Sequence, residues 1–382
     1  MKFGAIRIGS LAGIPILLSP SWFILFGLTT WLLATQFYPD ALEDAGRATH
    51  YAMAATSVVL FFASIVIHEL AHSLVARAFH IPVKSITLFI LGGVAQITRE
   101  AARPGHELLM AAAGPLTSLA LSAAFFGFWF AFGAGSTRPV DYVLVWLALM
   151  NLILAIFNML PAFPMDGGRV FRSLAWMVTR DYNRATSIAA WTGRGFAWAG
   201  MGAGLAAVAG RDVVLASNAA GGAWLIFLGI FLENAARRSL EQNRLVRELR
   251  LYRAEDVMHR DPPIVDGGQS VGALARGVLE LNPRVCYMVQ DEGRLAGLLS
   301  GYEMAAIPEQ DWDRVTASQA MVPSAALRAI ARERLLSDVL LEMEMEELFH
   351  MPVVEDGRVV GVIARERILR LLRQAGLLPS RA

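Results

Sequence analysis

Two histidines and a glutamate, His68, Glu69 and His72, form an H-E-x-x-H pattern within SIVIHELAHSLVARAF, the stretch from Ser64 to Phe79. No Gly or Pro interrupts it and apolar residues flank the triplet on both sides, so the segment reads as a helix. Spacing i, i+4 then stacks both imidazoles on one face, within reach of one tetrahedral metal ion. The intervening carboxylate faces the metal's open position. That is the donor set of a zinc hydrolase, with Glu69 as general base toward water. The bland alternative is a pair of packing histidines. It is weakened by the setting, because the surrounding hydrophobic segment is long enough to span a bilayer, where ionisable side chains are costly.

Zinc held by two imidazoles needs a third protein ligand and keeps a fourth position open. The stretch NMLPAFPMDGGRVFRSL, from Asn158 to Leu174, offers one. Pro161 and Pro164 break the preceding helix, Gly167 and Gly168 permit unusual backbone, and Asp166 is the natural third ligand. Taken alone, D-G-G is more often a turn, so its weight comes from coexistence with His68 and His72.

Around these residues the chain is strongly apolar: 382 residues, 55% hydrophobic and 18% charged. Such a composition predicts a membrane-embedded protein. A net charge of +1 gives no electrostatic support for nucleic acid as a partner, and a single cysteine, Cys286, excludes a disulfide framework or a cysteine-rich metal site. Runs of about twenty apolar residues predict six spanning helices, near 15–37, 51–79, 106–133, 140–162, 185–209 and 213–234. The first follows Lys2 and Arg7 and lacks an A-x-A-like cleavage site, so it reads as a retained helix. Positive residues cluster in alternate connections: Lys2 and Arg7; Arg77, Lys84, Arg99 and Arg103; Arg169, Arg172, Arg180 and Arg184; then five arginines from Arg237 to Arg250. This alternation predicts a multi-pass protein of the cell membrane with both termini in the cytoplasm. Nine residues separate His68 from Arg77, about 13.5 Å of helix, which sets the metal within the membrane toward the cytoplasmic side.

Two further stretches bear on the site. VKSITLFILGGVAQITR, from Val83 to Arg99, is β-branched around Gly92 and Gly93 and too short to cross, so it predicts a hairpin dipping in from the cytoplasmic side. Its strand edge suits an extended peptide. The third helix carries Gly114, Pro115, Thr117 and Ser118, small residues that predict close helix packing.

Together, His68-Glu69-Leu70-Ala71-His72, Gly114-Pro115 and the run from Asn158 through Pro161, Pro164, Asp166, Gly167 and Gly168 resemble the site-2 protease family of intramembrane zinc metalloproteases. The resemblance covers helices two to four closely and extends to about residue 234. It implies His68, His72 and Asp166 as ligands of one zinc ion per chain and Glu69 as the catalytic base. It also implies Asn158 as a polar group for substrate or oxyanion, and a transmembrane protein substrate. Ser118 departs from the family, many of whose members carry Asn after Gly-Pro.

Beyond a charged helical linker at 235–250 the composition becomes that of a soluble domain with an internal repeat. Tyr287 to Ser300 parallels Met351 to Ala364, each a strand, a D-G-type turn and a strand, and Asp256-Val257-Met258 repeats at Gln319-Ala320-Met321. The repeats, 251–310 and 311–382, resemble a tandem cystathionine β-synthase (CBS) pair. The resemblance implies a homodimer through these domains and an adenine nucleotide such as ATP in the cleft. Ser300 and Glu303 partly match the ribose-binding pattern of that family, whereas Ala364 and Arg367 depart from it.

The fold expected is therefore a polytopic α-helical membrane domain, 1–234, of about six transmembrane helices, followed by a cytosolic α/β CBS pair. Its function is read as intramembrane zinc endopeptidase. A CBS-regulated transporter or channel is the alternative of a different class, but it should scatter polar groups over several helices, and here they concentrate in two motifs.

Overall fold

A computed structural model describes residues 5–90, 92–97, 101–134, 136–213, 218–278, 286–291, 294–346, 348–356 and 358–377. Lys2, Arg99 and the turn glycines Gly293 and Gly357 lie outside the described residues. The chain divides into two compact units, Met1–Leu240 and Glu241–Ala382.

Unit one begins with a hairpin, β1 (Ile6–Leu11) and β2 (Ile14–Leu18), where an apolar helix starting at residue 15 is expected. Ala12 and Gly13 both take positive φ, 50° and 76°. Two such residues make the tight turn whose twist suits a hairpin. Pro20, in the first turn of α1 (Pro20–Leu32), starts the helix there instead. A π-helical turn (Leu33–Phe37) and the short α2 (Tyr38–Ala41) follow. Then comes α3 (Arg47–Ala78), the 32-residue helix that carries the H-E-x-x-H pattern. The expected second hairpin is present as β3 (Val83–Phe89) and β4 (Gly92–Ile97). It does not stand alone: β2 pairs with β3 in parallel, giving a four-stranded sheet of order β1-β2-β3-β4 with β4 at one edge.

Next come α4 (Pro104–Phe132) and α5 (Pro139–Asn158). The chain breaks after Asn158, short of the expected residue 162, and resumes as α6 (Asp166–Thr179), α7 (Tyr182–Val208) and α8 (Ala219–Leu249). Val58, Phe62 and Ile65 of α3 meet Val143, Trp146 and Leu147 of α5 in the main core cluster. Helices α3, α4, α5 and α8 are long and apolar enough to cross a membrane. Of the other two expected spans, the first begins only at Pro20, and α1, the π-helical turn and α2 then follow one another without a break to Ala41. Helix α7 is long enough but built largely of Ala, Gly and Thr. The charged stretch expected as a helical linker at 235–250 is helical to Leu249, as the end of α8.

Unit two opens with α9 (Ala254–Val257) and β5 (His259–Arg260). The first repeat supplies β6 (Ile264–Asp266), α10 (Val271–Val278), β7 (Cys286–Asp291), β8 (Arg294–Ser300) and α11 (Gly301–Ala305). After α12 (Ala317–Ala320) and β9 (Val322–Pro323), the second repeat supplies β10 (Ile330–Ala331), α13 (Leu336–Met345), β11 (His350–Glu355), β12 (Arg358–Ala364) and α14 (Arg365–Gln374). The sheets run β6-β7-β8-β9 and β10-β11-β12-β5. Each sheet thus ends on a strand from the sequence leading into the other repeat. Gly297 and Gly361 allow this, because a Cβ at Gly361 would lie 2.8 Å from the carbonyl oxygen of His259, and Gly297 faces Val322 in the same way. The two hairpins even bulge at matching places, after Val289 and after Val353.

Candidate metal centre

Helix α3 holds His68 and His72 one turn apart, each 3% exposed, and the loop after α5 delivers Asp166 at the start of α6. Three donor atoms converge: His68 Nε2 lies 3.2 Å from His72 Nε2, and Asp166 Oδ2 lies 3.2 Å and 3.0 Å from the two imidazole nitrogens. With metal–ligand bonds of 2.0–2.1 Å, the edge of a zinc tetrahedron is about 3.3 Å. These two neutral nitrogens and one carboxylate oxygen therefore fit zinc in chemistry and in spacing.

The surroundings favour the same use. His72 Nδ1 lies 2.6 Å from the carbonyl oxygen of Met110, which can only accept, so the proton sits on Nδ1 and Nε2 presents its lone pair. His68 Nδ1 lies 2.8 Å from Ser118 Oγ, a hydrogen bond that holds the orientation of that ring. Fixing the outer nitrogen in this way orients a metal-binding histidine. Both partners lie on α4, and Gly114 sits between them. A Cβ on Gly114 would run into both imidazoles, so only glycine lets α4 approach the site this closely.

Glu69, half-buried, points from the adjoining face of α3, and its Oε2 accepts the backbone N–H of Ala95 on β4 at 3.1 Å. The sheet edge thus reaches the candidate base. Asn158, at the end of α5, donates through Nδ2 to the carbonyl of Leu154 on its own helix at 3.0 Å. A different amide, Asn151, is fully buried and donates to Leu147 O at 2.9 Å and to Ser64 Oγ at 3.3 Å, joining α5 to α3 one turn before His68.

Asn151, Met110 and Glu107 do not stand out in the sequence, where Ser118 reads as a packing residue. The available signal was the spacing 107, 110, 114, 118 on α4, which puts all four on one buried face.

In unit two a cavity of about 700 Å³ is lined by both repeats, including Ser300, Tyr302, His350, Arg365, Arg367 and Arg370. Ser300 and Glu303 close a helix cap: the Ser300 N–H donates to Glu303 Oε2 at 2.8 Å, and the Ser300 hydroxyl bonds the same oxygen. Burial, together with the nearby charge of Glu303, pushes the Cys286 thiol at the cavity wall up to about 12.

Comparison with known proteins agrees with this layout. The family model described as Peptidase family M50 matches residues 56–137 and 134–200, and the CBS domain model matches 322–374. Protein sll0528 of Synechocystis sp., named as a zinc metalloprotease, is 32% identical over 373 residues, covering 96% of this chain and 95% of its own. Zinc metalloprotease MJ0392 of Methanocaldococcus jannaschii is 26% identical over 324 residues, 83% of this chain and 85% of its own. A solved site-2 protease from Methanocaldococcus jannaschii aligns at 27% identity over 62% of this chain and 95% of its own, with a TM-score of 0.41.

Proposed function

The chain belongs to peptidase family M50, the zinc metalloproteases of site-2 protease type, and from that premise we propose that it cleaves transmembrane or membrane-proximal segments of other proteins within the bilayer. In this reading His68 Nε2, His72 Nε2 and Asp166 Oδ2 hold one zinc ion per chain. The observation that carries the reading is the convergence of those three donors, 3.0 to 3.2 Å apart, on elements packed among membrane-length helices. A transporter would spread ionisable groups along a path through several helices, and convergence on one point favours hydrolysis.

When bound, zinc supplies Lewis acidity that acidifies water and polarises a peptide carbonyl. The chain's own residues do the rest. Ser118 and the Met110 carbonyl orient the two imidazoles. Glu69 takes the proton of the attacking water on its carboxylate and returns it to the amine nitrogen of the leaving peptide. A helical substrate hides its own carbonyls in internal hydrogen bonds and must unwind before it is cut. Edge strand β4, already against Glu69 through Ala95, offers the unwound segment a backbone to pair with. Both termini face the cytoplasm in this reading. The arginine-lined cavity of that pair supports a nucleotide-responsive regulator.

The experiment is mass spectrometry of membrane-protein termini in cells carrying wild type or Glu69→Gln. New termini inside or beside transmembrane segments, present only with wild type, are the expected result. Identical termini with both proteins expressed and zinc-loaded would sink the reading.

A further inference from the structure

One buried ion pair lies outside the three donors yet on the elements that hold them. Arg172 of α6 donates through Nε to Glu107 Oε1 of α4 at 2.9 Å, and its terminal Nη2 bonds the same oxygen. The two side chains are 12% and 3% exposed, and the guanidinium also lies over the rings of Phe163 and Tyr182, 5.3 Å and 4.8 Å from their centroids. Burying both charges is expensive, and nothing about packing two helices requires it.

The position of the pair gives it a use. Asp166 and Arg172 share α6, six residues apart, about 9 Å along the axis. Glu107 shares α4 with Met110, Gly114 and Ser118, the residues that orient or make room for the imidazoles. Helix α6 packs on the loop before it through Gly167 and Gly168, where a Cβ would lie 2.3 Å from the Met159 carbonyl oxygen and 2.9 Å from that of Ala162, but this contact ties only its first turn. A charge-assisted hydrogen bond at Arg172 adds a second tie further along α6, because two nitrogens of its guanidinium close on one buried oxygen of Glu107 on α4.

We propose that Glu107 and Arg172 are positioning residues for the metal: their ion pair fixes α6 on α4 and so holds the Asp166 carboxylate at the two imidazoles before zinc arrives. The inference rests on the zinc reading above.

The test is zinc affinity of the full chain in detergent, measured by competition with a metal-sensing chelator and read beside thermal melting. The variant is the neutral pair Glu107→Gln/Arg172→Gln, which leaves no lone buried charge. The control is Arg194→Gln/Glu233→Gln, which neutralises the ion pair joining α7 to α8 and touches no donor. The expected result is zinc binding weakened by about 10- to 100-fold in the Glu107/Arg172 variant, the range for outer partners of metal ligands. The control should bind as wild type does. Wild-type affinity in the Glu107/Arg172 variant, an equal loss in the control, or a neutral pair that fails to fold would each overturn the proposal. Wild type that takes up no zinc, or His68→Ala that binds it unchanged, would instead overturn the metal reading beneath it.

Discussion

The backbone N–H of Ala95 donates to Glu69 Oε2 at 3.1 Å, so a sheet edge and the candidate base are one structural unit. The contact is close because β4 lies flat on α3: a Cβ at Gly93 would sit 2.9 Å from Glu69 Cγ and 3.0 Å from Ile65 Cγ2. A strand that steers the base and also pairs with substrate would bring the scissile peptide and the proton acceptor into register together.

Removing that one donor should therefore slow chemistry without emptying the site. Ala95→Pro takes away the N–H on an edge strand, where proline is tolerated. Since a positioned general base contributes about 10²- to 10⁴-fold, a mispositioned one should cost on the order of 10-fold in kcat. Cleavage of a membrane reporter, normalised to zinc bound per chain, checks this. Unchanged kcat would remove Ala95 from the mechanism.

Gly114→Ala tests the cradle. Its added methyl meets both imidazoles and forces either α4 or the histidines aside. Zinc content should fall with the full chain still membrane-inserted, and affinity should drop by about 10- to 100-fold or more, at least as much as for loss of an outer hydrogen bond. Ser118→Ala, which removes only the bond to His68 Nδ1, should lose less. Metal titration of the two variants against wild type gives the order.

The candidate donors are legible in the sequence because their spacing is local. Residues at i and i+4 share a helix face whatever surrounds them, which exposes His68 and His72, and Asp166 stood out as a carboxylate after two prolines. The hairpin after α3 was legible from its β-branched run and glycines. The N-terminal hairpin was not, because the apolar run through Ile14 to Leu18 fits a membrane helix equally well, and only pairing with β3 decides for a strand. Ser118 and Met110 were hidden for a similar reason. A serine or a backbone carbonyl becomes an imidazole partner only once α4 packs on α3. Exchange of β5 and β9 between the two sheets is likewise a tertiary fact that the repeat spacing alone does not carry.

The cavity of unit two predicts a ligand-dependent shift. Arg365, Arg367 and Arg370 line it with three guanidinium-bearing side chains, a setting for phosphates. ATP that binds only the folded unit adds about 2.7 kcal/mol of stability at 100 times its dissociation constant, so the melting temperature should rise with nucleotide. Arg370→Ala should weaken the rise. Calorimetry on the full chain checks it, and no heat at millimolar ATP would leave the pair a purely structural module.

His350, on the wall of the same cavity, should make unit two sensitive to acid. Burial disfavours its charged form and lowers its pKa below the ordinary 6.5, although Glu303 and Glu366 pull the other way. A histidine that is harder to protonate when folded than when unfolded stabilises the fold fully above the unfolded value, and that contribution is lost as pH falls from there through the lowered folded value. The melting temperature of residues 241–382 should therefore drop between neutral and mildly acidic buffer. His350→Gln cannot take up the proton and should flatten that dependence, whereas an equal drop in the variant would assign it to other groups.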